Sequence, residues 1–240
     1  MTNSVIIIPT RLSAKRFPNK PLAKINGVPM IIHVLKSAAK SGVGEVYVST
    51  PDKDIKEIVD KHGGKGILTG NHTNGTSRVW ETFTKIKNEN IDQVINLQGD
   101  QVMLSPDNIS KLDKLMRKYN SPIGTLASKL IKEEISDQNI VKVEVESDLE
   151  DESFLNAKDF FRTKKSLKNE KIYHHVGIYC FKPAYLKQYV EFGESKQEKI
   201  RNLEQLRVLG KIDIKVGYCD SSPLSVDTVE DLKKVEKKIS

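Results

Sequence analysis

The segment Pro9-Thr10-Arg11-Leu12-Ser13-Ala14-Lys15-Arg16-Phe17-Pro18-Asn19-Lys20-Pro21-Leu22 places four cations, Arg11, Lys15, Arg16 and Lys20, within ten residues. Guanidinium forks and ammonium groups at this density suit a polyanion such as a triphosphate. There is no glycine-rich phosphate loop, so side chains must supply the charge. A solvated basic loop has the same composition, and the segment alone does not separate the two readings. Asp100, in Gln98-Gly99-Asp100, and Asp227, in Ser225-Val226-Asp227-Thr228-Val229-Glu230, are carboxylates at separate element ends. Jointly they suit Mg²⁺, which takes oxygen ligands and substrate phosphates. The competing readings are a turn residue for Asp100 and a helix capping box, closed by Glu230, for Asp227.

Two further clusters carry polar chemistry. In His174-His175-Val176-Gly177-Ile178-Tyr179 the content of Val, Ile and Tyr reads as a strand. Period two puts His175, Gly177 and Tyr179 on one face, with Gly177 leaving an open slot between imidazole and phenol. Such a slot suits a polyhydroxylated ligand; an ordinary half-buried strand is the alternative. Asn202–Leu209 reads as helical, with Leu203 and Leu206 facing the core. There Glu204 and Arg207 are either a surface ion pair of little energetic weight, or Glu204 with Gln205 binds sugar hydroxyls.

The elements that must position these groups alternate through the first half. Apolar runs predict strands at Val5–Ile8, Glu45–Thr50, Gly66–Thr69 and Gln93–Leu97. Between them, helical patterns cover Pro29 to Gly42, Asp54–His62 and Ser77–Lys87, and another helix runs from Ser105-Pro106 to Tyr119. This βαβα order predicts an α/β fold with a doubly wound, mostly parallel, Rossmann-like sheet. Strand-like segments at Ile123–Leu130, Val141–Val145 and Tyr173–Phe181 have fewer helices between them. They predict an inserted antiparallel strand and helix region in the second half. Glu144–Glu152 reads as a turn or exposed hairpin. Helices follow at Ala184–Glu191 and Lys199–Leu209, then a strand at Ile212–Tyr218 and a last helix from near Asp227.

Composition narrows the class. With 240 residues, 38% hydrophobic and 30% charged, the chain suits a folded globular protein. No apolar run is long enough to cross a bilayer, so no membrane partner is expected. The net charge of +7 lies largely on helical stretches where Lys is mixed with acids, and nucleic acid is not expected as a partner. Cys180 and Cys219 are too few and too separated for a zinc knuckle or disulfide framework. With no basic stretch before the first apolar run, the expectation is a cytoplasmic protein.

The stretch Val5–Leu35 resembles the opening of the CMP-Kdo synthetases, the 3-deoxy-manno-octulosonate cytidylyltransferases. The match lies at Pro9, Arg11, Arg16, Pro18, Lys20, Pro21 and Leu22, and again at Asn26, Gly27, Pro29, Met30, Ile31, His33 and Val34. Further matches follow in order at Gln98-Gly99-Asp100, Asn139–Val143, His175–Tyr179, Leu203–Leu209 and Val226-Asp227-Thr228. The resemblance implies one nucleotidyltransferase domain over residues 1–240. Its nucleotide-binding half is 1–120; its sugar-binding and dimerising half is 121–240. The implied reaction is Mg²⁺-dependent transfer of CMP from CTP to an acidic sugar, Kdo, by a homodimer. Lys20, Asp100 and Asp227 would be catalytic, the two aspartates as metal ligands. Arg11, Ser13, Arg16, Lys20, Asn74 and Gly75 would bind nucleotide. Arg78, Gln98, Asn139, His175, Tyr179, Glu204 and Gln205 would bind the sugar acid. The chain departs from the family pattern at Ala14, Asn74, Ser77, Gln101-Val102, Asn156 and Pro51-Asp52. A related or amino-substituted 2-keto sugar acid is therefore an alternative substrate, and a non-catalytic nucleotide- or sugar-binding homologue an alternative function.

Overall fold

The computed structural model describes residues 3–13, 17–163, 171–220 and 223–239. In chain order the elements are β1 (Ser4–Pro9), a 3-10 turn (Lys20–Leu22), β2 (Lys24–Ile25), β3 (Val28–Pro29), α1 (Met30–Lys40), β4 (Gly44–Thr50), α2 (Lys53–Lys61), β5 (Lys65–Leu68), α3 (Gly75–Ile86), β6 (Gln93–Leu97) and α4 (Pro106–Tyr119). The chain continues through β7 (Ile123–Lys129), β8 (Lys142–Val145), β9 (Phe154–Phe161), β10 (Lys171–Phe181), α5 (Pro183–Glu191), α6 (Lys196–Arg201), β11 (Ile214–Tyr218) and α7 (Val229–Ile239). Two compact units result: Met1–Ser110 with Pro223–Ser240, and Lys111–Ser222. The halves expected from sequence met at residue 120. In the structure the division falls at Ser110, and the C-terminal segment, with Asp227, belongs to the first unit.

In the first unit β1 and β6 are buried along their whole length. Strands apolar at successive positions, not alternate ones, suit a parallel sheet covered on both faces. β1 pairs parallel with β4 and with β6, and β4 parallel with β5. The order within this unit is therefore β5-β4-β1-β6. The chain steps outward from β1 to β4 to β5, then returns to the other side of β1 for β6. Ligands bind where such a sheet reverses direction, outside the carboxyl ends of the two strands that diverge. Here those ends are Pro9-Thr10-Arg11 and Gln98-Gly99-Asp100. The face of α1 is as expected: Met30, Ile31, Val34, Leu35 and Ala38 are all buried.

The start of α7 differs from the expected Asp227-x-x-Glu230 box. Thr228 Oγ1 accepts from the Asp231 amide (3.2 Å), and Asp231 Oδ2 accepts from the Thr228 amide (3.0 Å). The reciprocal cap is one residue further on, which leaves the Asp227 carboxylate available for another partner.

The second unit is mostly antiparallel, as expected. β10 pairs with β7, β7 with β11, β11 with β9, β9 with β8, and β8 with β10 again, and only β7–β11 is parallel. β9 is not legible in the sequence, because Asn156, Lys158 and Asp159 interrupt its apolar run. The single helix expected over Lys199–Leu209 is α6 followed by a 3-10 turn, Glu204–Arg207. The break is Asn202, in the left-handed region at φ 52. Arg207 is also not at the surface: Nε and Nη2 donate to Glu198 Oε2 (2.8 Å) and Oε1 (2.7 Å), all within a buried pair.

β10 does not keep period two. Val176 pairs with Leu126 but Tyr179 pairs with Thr125, so two residues bulge out of register. The Thr125 hydroxyl occupies the bulge, 2.7 Å from the Ile178 carbonyl and 3.0 Å from His175 Nε2. Its one proton goes to the carbonyl, so its lone pair accepts from Nε2–H of a neutral imidazole. Burial, reinforced by the charge of His174, lowers the His175 pKa from 6.5 to about 3.

Two tests follow from these contacts. Thr228→Ala is expected to lower stability by about 1 kcal/mol through loss of the cap, and Asp227→Asn by clearly less, as read by denaturant midpoints. For His175, the unfolded chain binds the proton more readily than the fold does. Stability attributable to it is full above pH 6.5 and falls towards about 3, by up to about 1.4 kcal/mol per pH unit. His175→Gln, which keeps a donor for Thr125, is expected to flatten that part of the acid limb. An unchanged limb contradicts the buried neutral imidazole.

Candidate active site

The basic loop is shaped by backbone bonds before any side chain acts. The Asn19 amide donates to the Leu12 carbonyl (3.1 Å) and the Leu22 amide to the Asn19 carbonyl (2.9 Å). Asp52 holds the loop's origin: its Oδ2 accepts from the Leu12 amide at 2.8 Å. Pro51-Asp52 departs from the family pattern, with the acid one residue later, and this carboxylate reaches the loop. Arg11 and Ser13 are exposed beside it. Arg16, assigned to the nucleotide, lies outside the described residues.

Lys20 leaves the 3-10 turn and spans the first unit's crevice. Its Nζ donates to Asp100 Oδ2 (3.0 Å), the Val226 carbonyl (2.8 Å) and Asp227 Oδ1 (3.4 Å). The Val226 amide in turn donates to the Asp100 carbonyl at 3.2 Å. Three residues far apart in sequence thus meet where β1 and β6 diverge. The Lys20 side chain is 14% exposed, and those of Asp100 and Asp227 are 29% and 31% exposed. The cation is therefore the inner member, and both acids keep an edge towards solvent.

A divalent cation fits this donor set. An ammonium already marks a point where two carboxylate oxygens and a carbonyl oxygen converge, and hard oxygen donors are what Mg²⁺ takes. Among the described residues no group of three or more His, Cys, Asp or Glu offers a closed cage. Such an ion would need substrate phosphates and water to complete its shell, which is how Mg²⁺ is commonly held in phosphoryl-transfer sites.

Around this centre, the expected nucleotide and sugar residues of the first unit are linked. Gln98 Nε2 donates to Asn96 Oδ1 (3.1 Å), and Asn96 Nδ2 to Thr76 Oγ1 (3.0 Å), joining β6 to α3. A Cβ on Gly75 would stand 3.2 Å from Gln98 Nε2 and 3.3 Å from Pro9, so glycine permits a tight approach here. At Gly99 a Cβ would meet the Pro9 carbonyl at 3.1 Å. Asn74 caps α3, its Oδ1 accepting from the Ser77 amide at 2.8 Å, and its Nδ2 is buried with no partner among the described residues. Arg78 is buried; its Nη1 donates to Thr69 Oγ1 and to the Gly70 carbonyl (3.0 Å). Burial lowers its pKa, and the charge of Arg11 adds to this against Asp52 and Glu81.

In the second unit His175 lies against Tyr179, and Glu204 is near enough to Tyr179 for its charge to act on it. The His175 and Tyr179 rings lie 5.3 Å apart, tilted at 46°. The slot expected across Gly177 is therefore filled: the bulge draws the two rings into contact. The Tyr179 hydroxyl is buried and has no partner among the described residues. Burial, with the charge of Glu204, raises its pKa well above 10, which keeps it a donor. The Tyr189 hydroxyl donates to the Glu204 carbonyl (3.2 Å), which fixes the 3-10 turn carrying Glu204 and the buried Gln205. Asn139 is on an exposed stretch before β8, its carbonyl accepting from Arg162 Nη1 (2.7 Å). No helix among the described residues is long and apolar enough to cross a membrane.

Similarity to known proteins agrees with this geometry. The chain is 37% identical to 3-deoxy-manno-octulosonate cytidylyltransferase of Rhodopseudomonas palustris (strain BisB18), over 98% of this chain and 97% of that one. It is 37% identical to the protein of the same name from Brucella canis, over 96% and 93%. A solved structure of CMP:2-keto-3-deoxy-manno-octonic acid synthetase complexed with CTP matches with a TM-score of 0.88 at 34% identity, covering 98% of each chain. Residues 5–214 match the family described as cytidylyltransferase, and the chain belongs to that family.

Proposed function

We propose that this protein transfers CMP from CTP to the anomeric hydroxyl of 3-deoxy-manno-octulosonate, releasing pyrophosphate. The observation that carries the reading is the meeting of Lys20, Asp100 and Asp227 at the point where β1 and β6 diverge. The hydroxyl oxygen attacks the α-phosphorus, the bond to the β-phosphate oxygen breaks, and the hydroxyl proton leaves to solvent or substrate. No covalent enzyme intermediate is required. Positioning and charge neutralisation carry the step. Arg11, Ser13 and Lys20 face the triphosphate, and Asn74 and Gly75 the rest of the nucleotide. The family resemblance assigns the sugar acid to Arg78 and Gln98 in the first unit and to Asn139, His175, Tyr179, Glu204 and Gln205 in the second. His175, neutral at physiological pH, and protonated Tyr179 serve as hydrogen-bonding groups, not as charges. Asp100 and Asp227 would hold Mg²⁺, which when bound offsets the negative charge of the phosphates. A homodimer, which rests on the family resemblance, and a cytoplasmic location, expected from the sequence pattern, belong to the same proposal.

A related or amino-substituted 2-keto sugar acid is the second reading, favoured by a specific observation. Gln101 Oε1 and Asn156 Oδ1 are buried without partners among the described residues. Both stand at positions where the chain departs from the family pattern. Unpaired buried polar groups cost free energy unless a ligand meets them. Pyrophosphate release with CTP, Mg²⁺ and a panel of acidic sugars decides between the readings. Fastest turnover of Kdo supports the first, a clear preference for another 2-keto acid supports the second, and no release with any sugar contradicts both.

Two variants test the residue roles. Asp100→Asn and Asp227→Asn are each expected to cut turnover on the order of a hundred-fold with the fold intact by circular dichroism; activity within a few-fold of the parent removes that residue from the centre. Asn74→Asp keeps a strong cap but loses the amide donor. It is expected to leave the melting temperature nearly unchanged and raise KM for CTP roughly ten-fold, the weight of one hydrogen bond. An unchanged KM shows that Asn74 only caps α3.

A further inference from the structure

One face of α3 grips the segment that leads into it. Arg78, Glu81 and Lys85 stand three and four residues apart, the spacing that lines up side chains on a helix. Lys85 Nζ donates to the Leu68 carbonyl at 2.7 Å. Arg78 Nη1 donates to Thr69 Oγ1 and to the Gly70 carbonyl (3.0 Å). The two carboxylate oxygens of Glu81 both accept from the Gly70 amide, at 3.2 and 3.0 Å, and one of them also meets His72 Nε2. Both polar groups of Gly70 are therefore held by α3, the N–H by Glu81 and the carbonyl by Arg78.

Glu81 is well suited to this grip. Burial acts to raise its pKa, yet hydrogen bonds from Lys85, His72 and Gly70 outweigh it and bring the value down to about 2. The group is a fixed anion at any physiological pH. Burial, and after it the neighbouring charge of Arg11, disfavour the Arg78 cation, so fixed acceptors matter to it.

We propose that Glu81 is a positioning residue: by fixing Gly70, with His72 as its second tether, it holds the acceptors that aim the Arg78 guanidinium. The inference rests on the reading of Arg78 as a ligand of the sugar acid. Glu81 touches no substrate and acts through Arg78.

The test combines kinetics with amide exchange on the full chain. Glu81→Ala is expected to raise KM for the sugar acid about ten-fold while KM for CTP stays within about two-fold, and Glu81→Gln, whose amide oxygen still accepts from Gly70, is expected to recover most of the loss. In an Arg78→Lys background, where the aimed fork is gone, adding Glu81→Ala is expected to change KM by less than about two-fold. A lower melting temperature with both KM values unchanged, an equal rise in both, or the full ten-fold loss again in the Arg78→Lys background overturns the proposal. Nuclear magnetic resonance exchange at the Gly70 amide separates this from the functional reading. If the parent turns over no sugar acid, that reading fails, and Gly70 decides the grip alone. Faster exchange in Glu81→Ala upholds it, and unchanged exchange overturns it.

Discussion

Two ionised carboxylates repel at close range and a cation between them relieves that cost, and the first unit is organised around that constraint. Asp100 and Asp227 come from opposite ends of the chain and are reconciled by one ammonium, Lys20, which also bonds the Val226 carbonyl. The carbonyl bond matters because it ties the segment before α7 to the loop after β1. Each acid keeps a solvent-facing edge. The arrangement can therefore exchange partners when a triphosphate and its counter-ion arrive, while the backbone bond from Val226 to Asp100 keeps the frame in place.

The parallel sheet makes this meeting possible. Because β6 returns to the opposite side of β1 from β4, the loops after β1 and β6 diverge and leave a crevice. The segment after β1 leads to Lys20 and that after β6 carries Asp100, so opposite charges meet there by topology. Asp52 and Glu81 do related work at one remove. Each carboxylate accepts from a loop amide, Leu12 in one case and Gly70 in the other, and so sets where the arginines begin.

Where one physical cause dominated, the sequence was readable. The apolar runs of β1 and β6 and the stripe on α1 are set by burial alone, and the structure reproduces them. The pairing of Asp100 with Asp227 was legible because acids at the ends of elements are suspicious in a chain with a basic loop. Reading failed where two local choices were nearly equal and a distant contact decided. Asp227 and Thr228 are both good caps, and Lys20 draws the aspartate away. Asn202 is only a weak helix breaker by type, but the bidentate Arg207–Glu198 pair needs the chain to turn there. The bulge in β10 depends on the Thr125 hydroxyl, a partner 50 residues from His175 that no periodicity could reveal. Glu81 and His72 carried no signal as a pair, since their common target is a glycine backbone.

We propose that the Asp100–Asp227 pair is built to receive a cation together with the nucleotide. Titration with Mn²⁺, followed by loss of the free-ion electron paramagnetic resonance signal, tests this most directly. Binding is expected to be weak to the protein alone and much tighter when CTP is present. That tight binding is expected to be lost in both Asp100→Asn and Asp227→Asn. Equal Mn²⁺ binding by the parent and both variants in the presence of CTP would contradict it.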